Sequence, residues 1–319
     1  MQQFQHPGPR LAFVFPGQGS QHPGMGQAVH DASPAARAVF AEADQVLGRP
    51  ITELCFTAPA DVLEDTATAQ PAILTVSVAT LAAIHEQAAL VGQTVTPDVV
   101  AGHSLGEFSA MVAAGVLDFP TALRLVQERG SLMRQAGTER PGGMAAVIGL
   151  DDETVYEVCR EAENHGIVTV ANANCPGQVV ISGELPALAR AMELATARGA
   201  RKVLRLGVSI ASHSPLMSSV SARLAELVDD ASLRTPQVPV VVNITGQRAD
   251  SVDAIRTELS TSVENPVNWT RSVGEMISAG ATTFVEIGPG QVLGGLIRRI
   301  SRDVTVVPGQ ELLFGRPTR

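Results

Sequence analysis

Aromatic side chains are scarce in this 319-residue chain: one Trp, one Tyr and nine Phe make up 3% of it. So few rings give no stacking platform for nucleobases, and a net charge of −9 supplies no basic field to draw in a nucleic acid. Cysteine is also rare. Cys55, Cys159 and Cys175 are odd in number and widely spaced, which excludes a disulfide framework and a Cys-x-x-Cys metal site and fits a reducing cytoplasm. The N-terminus lacks the basic start and apolar core of a secretion signal. No uninterrupted apolar run reads as long enough to span a bilayer, so a soluble cytoplasmic protein with no membrane partner is expected. Hydrophobic residues, at 45%, are ample for a core built from Ala, Val, Leu and Ile. The length calls for one large α/β unit carrying an insertion, or two domains.

The most informative stretch is Gly102-His103-Ser104-Leu105-Gly106, directly after the apolar run Pro97-Asp98-Val99-Val100-Ala101. A serine with glycine two positions before and after it, between a strand and a helix-forming segment, reads as a nucleophile elbow. The small residues let the turn close, and the serine Oγ stands above the sheet edge. The following segment, Glu107 to Ala114, is made of good helix formers and stops at Gly115. Earlier, residues 11–15 read as a buried strand ending in the loop Pro16-Gly17-Gln18-Gly19-Ser20. That loop lacks the lysine of a phosphate-binding loop and the three-glycine dinucleotide spacing. Residues 1–10 read as a loose lead-in, and alternating helices and strands are expected from there to the elbow, with a helix over 121–136 beyond it.

The middle of the chain carries a second pattern: strand 144–150, helix 151–164, strand 167–172, strand 178–182, helix 184–198 and strand 202–206. This β-α-β-β-α-β order is that of a ferredoxin-like unit. The expected organisation is therefore a large α/β-hydrolase-like domain with a parallel sheet, residues 1–137 and 208–319, into which a small ferredoxin-like domain, residues 138–207, is inserted. The large domain resumes with a helix after His213, a strand over 238–242, helices near 251–261 and 269–279, a strand over 283–287 and a final helix from Gln291. A cleft between the two domains is a natural place for a substrate.

A serine hydroxyl needs a base. His103 adjoins Ser104 in sequence, but neighbours at an elbow point to different sides; His213, in the small-residue loop Ser209-Ile210-Ala211-Ser212-His213-Ser214-Pro215, can face a cleft and is the candidate base. No acidic residue between serine and histidine has an evident claim to orient the imidazole, and a backbone carbonyl could accept its Nδ1 proton instead.

Seven segments in order then carry a resemblance. Phe15-Pro16-Gly17-Gln18-Gly19-Ser20-Gln21, Gly102-His103-Ser104-Leu105-Gly106-Glu107, Gln127-Glu128-Arg129-Gly130, Asn172-Ala173-Asn174-Cys175-Pro176-Gly177-Gln178, Ser212-His213, Asn265-Pro266-Val267-Asn268-Trp269 and Glu286-Ile287-Gly288-Pro289-Gly290 together resemble malonyl-CoA:acyl carrier protein transacylases from Leu11 to about Ile300. The resemblance implies that Ser104 is acylated from malonyl-CoA and that His213 serves as its base. It further implies that the Gln18 and Leu105 N–H groups form the oxyanion hole and that the Ser262 carbonyl orients the histidine. Arg129 would bind the malonyl carboxylate, for which a planar guanidinium offers two parallel hydrogen bonds. Acyl carrier protein would be the acceptor in fatty-acid synthesis, the enzyme a monomer, with no metal and no cofactor beyond the coenzyme A thioester substrate.

Two positions depart from the family. Ser262 stands where glutamine is frequent, a change a main-chain contact tolerates. Ile210-Ala211-Ser212 differs from the His-Ala-Phe of many malonyl-selective polyketide domains and partly matches the Tyr-Ala-Ser of methylmalonyl-selective ones. A discrete polyketide acyltransferase and an acyl-thioester hydrolase are the alternative functions. Arg198, Arg201, Lys202 and Arg205 form the densest basic cluster for docking an acidic carrier, with Arg298 and Arg299 as the other choice.

Overall fold

The computed structural model describes residues 10–315, so all but the last residue of the expected lead-in lies outside the described residues. Among the described residues nine strands form two sheets: β1 (Leu11–Phe15), β2 (Val99–Gly102), β3 (Gly142–Ile148), β4 (Val168–Cys175), β5 (Gln178–Glu184), β6 (Lys202–Arg205), β7 (Val240–Val241), β8 (Thr283–Glu286) and β9 (Thr305–Pro308). The first sheet has the order β7-β2-β1-β8-β9 and every pairing in it is parallel. The second, β4-β5-β3-β6, is antiparallel throughout and comes from one continuous segment of the chain.

The parallel sheet is covered on both faces, as the unbroken apolar sequence of β1 demands. Alternate residues leave β1 in opposite directions. Phe13 and Phe15 enter the larger core with the helix Thr66–Leu90, while Ala12 and Val14 face a second core containing Trp269, Phe284 and Leu293. The antiparallel sheet divides in the same way. Ala145, Val147, Val170, Val179 and Ile181 pack under the helices Asp152–Ala162 and Leu185–Ala197, and Met144, Ala146, Ala171 and Val180 form the opposite face. Helix 152–162 and helix 185–197 both sit where the β-α-β-β-α-β pattern places them. The fold is thus the expected α/β-hydrolase-like parallel sheet with a ferredoxin-like antiparallel sheet beside it.

Two expectations are corrected. Between β1 and β2 there is no alternation of strand and helix: the segment forms five helices, ending in the 25-residue helix Thr66–Leu90. Its Ala, Val, Ile and Leu surround the helix on all sides, because it runs through the core rather than along its rim. That same helix has the length and mean apolarity of a membrane span, but Gln70, His85 and Glu86 interrupt its apolar sequence and 94% of its most apolar window is buried inside the protein. Finally, the chain does not end on the helix Val292–Ile300. It adds the edge strand β9 and the short helix Gly309–Phe314.

At the junction of β1 and β2 the backbones meet with no room for a side chain. A Cβ on Gly106, the first residue of the helix Gly106–Ala113, would lie 2.0 Å from the Phe15 carbonyl oxygen. Gly106→Ala must therefore push the elbow away from β1 and should lower the melting temperature by well over 5 °C, or prevent folding. Gly295→Ala, on a helix surface with open space around it, should instead raise stability by about 0.5–1 kcal/mol through helix propensity. Thermal denaturation of the two variants checks both signs.

Candidate active site

Ser104 follows β2 and precedes the helix Gly106–Ala113, and its φ of 52° is left-handed. His213 has a φ of 58°, and these two are the only non-glycine residues with positive φ among the described residues. A non-glycine residue held in this region costs of order 1–3 kcal/mol and persists only where its surroundings enforce it. Both are enforced. The Ser104 N–H donates to Asn243 Oδ1 at 2.7 Å, and the His213 N–H donates to the Val263 carbonyl at 2.7 Å. The two side chains so displayed meet, with Ser104 Oγ 2.8 Å from His213 Nε2.

The far side of the imidazole fixes its tautomer. Nδ1 lies 2.8 Å from the Ser262 carbonyl and 3.0 Å from that of Asn265, two acceptors that require a proton on Nδ1. Nε2 is then the acceptor, and the Ser104 hydroxyl donates to it. Burial, and after it the nearby Arg129 charge, push the His213 imidazole down to about 4, so it is neutral at physiological pH. Main-chain carbonyls do the orienting for which no acid was apparent in the sequence, and Asn265 shares that task with Ser262.

Arg129 comes from the helix Phe119–Glu139 and is 1% exposed. Its Nη2 donates to Ser104 Oγ at 3.2 Å and its Nη1 to Gln70 Oε1 at 2.7 Å, while Nε is buried without a partner. No carboxylate forms an ion pair with it among the described residues. Burial draws the guanidinium down to about 10, with the Glu107 charge opposing, so it is still a cation at neutral pH. A buried guanidinium without a carboxylate partner, pointing at a serine Oγ, can receive an anion there.

The loop after β1 closes on the elbow. A Cβ on Gly17 would lie 2.3 Å from the His103 carbonyl, and the His103 N–H donates to Phe15 at 3.0 Å. Among the described residues the Gln18 and Leu105 N–H groups have no protein acceptor. Gln18 lines the same cleft as Ser104, and Leu105 directly follows the serine in the elbow. His103 turns away from the pair: its Nε2 is 2.8 Å from Asn174 Oδ1, its ring meets Trp269 edge-on, and burial lowers its basicity.

Ser104, His213, Arg129 and Gln18 all line a cleft of about 380 Å³. Met144 and Val180 of the antiparallel sheet, with Leu206 and Val208 after it, supply an apolar wall. Of the basic cluster expected at the last strand, Arg198 is engaged by Glu157 and Glu161, at 3.1 and 2.7 Å, whereas Arg201, Lys202 and Arg205 are exposed. Arg299 bonds Gln178, which lines the cleft. Among the described residues no group of His, Cys, Asp and Glu is arranged to hold a metal ion. Sequence reasoning missed Asn243, Gln70 and Glu258. Their only trace was a polar residue interrupting an apolar or helical run.

The depressed basicity of His213 fixes a pH dependence. The reactive form has a neutral imidazole, so the rate at which Ser104 reacts with a small neutral sulfonyl fluoride should be flat from about pH 6 to 8. It should fall only as the pH drops towards about 4. Arg129→Ala removes the like charge and should move this acid limb upward, towards the ordinary histidine value of 6.5. A wild-type limb already at 6.5 would contradict the buried, charge-opposed imidazole.

Comparison with known proteins places this geometry in context. A family profile described as "Acyl transferase domain" matches residues 12–313. The malonyl CoA-acyl carrier protein transacylase of Escherichia coli is 43% identical over 296 residues, 93% of this chain and 94% of that protein; the one from Bacillus subtilis is 40% identical over 299 residues, 93% and 92%. Among solved structures, a malonyl-transacylase in complex with its type II polyketide acyl-carrier protein superposes with a TM-score of 0.90 at 41% identity, covering 96% of this chain and 98% of that one. The malonyl-CoA:acyl carrier protein transacylase of Xanthomonas oryzae gives 0.88 at 42% identity, with 94% of each chain covered. A serine elbow, a carbonyl-oriented histidine and a buried arginine stand in a chain alignable over nine-tenths of its length with such enzymes, and the chain belongs to the acyl transferase family, among the malonyl-CoA:acyl carrier protein transacylases.

Proposed function

We propose that this enzyme transfers the malonyl group of malonyl-CoA to the phosphopantetheine thiol of acyl carrier protein through a malonyl ester on Ser104. The observation that carries this reading is Arg129: a buried cation lacking a carboxylate partner, 3.2 Å from the serine oxygen. A carboxylate on the acyl group supplies that partner. An enzyme that merely hydrolyses neutral acyl thioesters has no use for such a cation, which weighs against the hydrolase reading.

The chemistry is ping-pong. His213 Nε2 takes the Ser104 proton as Oγ attacks the thioester carbonyl, and the negative charge moves onto that oxygen, where the Gln18 and Leu105 N–H groups stabilise it. The C–S bond then breaks, the sulfur leaves with the proton from His213, and free coenzyme A departs. The carrier thiol repeats these steps in reverse order on the malonyl ester. The Ser262 and Asn265 carbonyls hold the Nδ1 proton and stabilise the transient imidazolium. Gln70 holds Arg129 in place and donates its own amide hydrogen to Met133 Sδ at 3.2 Å.

In this reading residues 138–207 form the inserted small domain that walls the cleft. The enzyme works as a cytoplasmic monomer with no cofactor, a setting supported by three free, buried cysteines. The carrier belongs to fatty-acid synthesis. A polyketide carrier is the second reading, favoured by the likeness to the transacylase bound to a polyketide carrier.

Arg129 gives the test. Removing it leaves the malonyl carboxylate buried without a partner at roughly 3–5 kcal/mol, or about two to four orders of magnitude in kcat/KM. Acetyl-CoA carries no such charge, so Arg129→Ala should spare its slow reaction, and Arg129→Lys should restore malonyl transfer only in part. The ratio of kcat/KM for malonyl-CoA over acetyl-CoA should collapse in the alanine variant. A constant ratio, with both activities falling together, would make Arg129 structural and return the hydrolase reading.

A further inference from the structure

The elbow rests on a polar cluster that takes no part in the steps above. Asn243, 1% exposed, follows β7 and lies 139 residues from Ser104 in sequence. Every donor and acceptor of its carboxamide meets the elbow. Oδ1 accepts the Ser104 N–H at 2.7 Å, and Nδ2 donates to the Gly102 carbonyl at 2.7 Å and to Glu107 Oε1 at 2.9 Å. The amide orientation follows from these partners, since the reverse would set the NH₂ group against the Ser104 N–H. Three bonds thus tie one side chain to residues two before, at, and three after the left-handed turn.

Asn243 is held from behind by two buried carboxyl groups. Its backbone N–H lies 3.0 Å from Glu107 Oε1 and 3.0 Å from Glu258 Oε1, and Glu258 Oε1 also accepts the Ile244 N–H at 3.0 Å. Glu258 comes from the helix Val252–Thr261, so this cluster joins the helix after the serine to the element just before the histidine-orienting carbonyls. Burial raises both carboxyls above the ordinary carboxylate range, and the neighbouring Glu258 charge raises Glu107 further. A protonated carboxyl beside an ionised one lets the two share the Asn243 N–H without a buried double charge.

The consequence concerns the direction of Ser104. With its N–H bound to Asn243, the serine amide is unavailable to the reacting carbonyl and the His103–Ser104 peptide is held, while the Ser104 carbonyl, on the peptide that carries the Leu105 N–H, accepts the Glu107 N–H at 3.1 Å. On the backbone so held, Oγ lies 2.8 Å from His213 Nε2 and 3.2 Å from Arg129 Nη2. We propose that Asn243 is a positioning residue for acyl transfer, its carboxamide holding the Ser104 backbone in the one rotation that aims Oγ at His213 and leaves the Leu105 N–H facing the reacting carbonyl. This rests on the reading of Ser104 as the acylated residue.

The experiment compares Asn243→Ala and the near-isosteric Asn243→Asp with wild type. The rate of coenzyme A release in the first turnover with malonyl-CoA is measured by rapid quench and normalised to the fraction of molecules that acquire a malonyl group by intact mass. The dissociation constant for malonyl-CoA is measured on the Ser104→Ala background. Both Asn243 variants should acylate about 10- to 100-fold more slowly, with the dissociation constant within threefold of wild type. A rate per labelled molecule within threefold of wild type, or a loss of rate matched by an equal loss of binding, would overturn the proposal. So would failure of both variants to fold, which would assign Asn243 to the core alone. Peptide mapping of the labelled wild type keeps the two readings apart, because malonyl found on a residue other than Ser104 counts against the nucleophile and not against Asn243.

Discussion

The left-handed backbone of Ser104 governs how four separate segments of the chain pack around the active site. It is unfavourable in isolation, and the fold compensates from four directions: the glycine at 106 that lets β1 approach, the loop after β1 that closes on His103, the Asn243 carboxamide, and the His213 ring that receives the hydroxyl. None of these can form if the turn relaxes to an ordinary conformation. The strain is local, whereas its compensation is spread over segments more than a hundred residues apart. His213 is held in the same way, which explains why the two residues with forced backbones are also the two whose side chains meet.

Electrostatics follow from the same closeness. A charged arginine and a neutral histidine share Ser104 Oγ, and each is what it is because of burial. The guanidinium stays charged because its ordinary basicity is high enough to survive desolvation. The imidazole, starting near neutrality, does not. A cation and a neutral base therefore coexist on either side of one oxygen, the former suited to an anionic acyl group and the latter to a proton. The apolar wall from the antiparallel sheet lowers the polarity around both, which strengthens their interactions.

Much of this was legible in the sequence because it is encoded locally. The elbow glycines and the loop at Gln18 each lie within a few residues, and the strands and helices of the β-α-β-β-α-β unit, consecutive in the chain, fall within about two to three residues of where alternation and periodicity put them. What could not be read is encoded at a distance. Asn243 and Glu258 reach the elbow only through the parallel sheet, and nothing around either in sequence announces a partner at Gly102 or Glu107. Helix 66–90 was missed as a continuous element because an all-round apolar helix has no stripe to detect, and Gln70 was hidden inside it. The edge strand β9 is four residues long and only partly buried, too short for a period to show.

Ser104 Oγ is the proposed carrier of the malonyl group between two thiols. Intact mass of the purified chain after brief exposure to malonyl-CoA tests it most directly. The wild type should carry one malonyl group, discharged by adding a phosphopantetheine-bearing acyl carrier protein, and Ser104→Ala none. Malonyl retained by the alanine variant, or a wild-type adduct that the carrier cannot discharge, would contradict it.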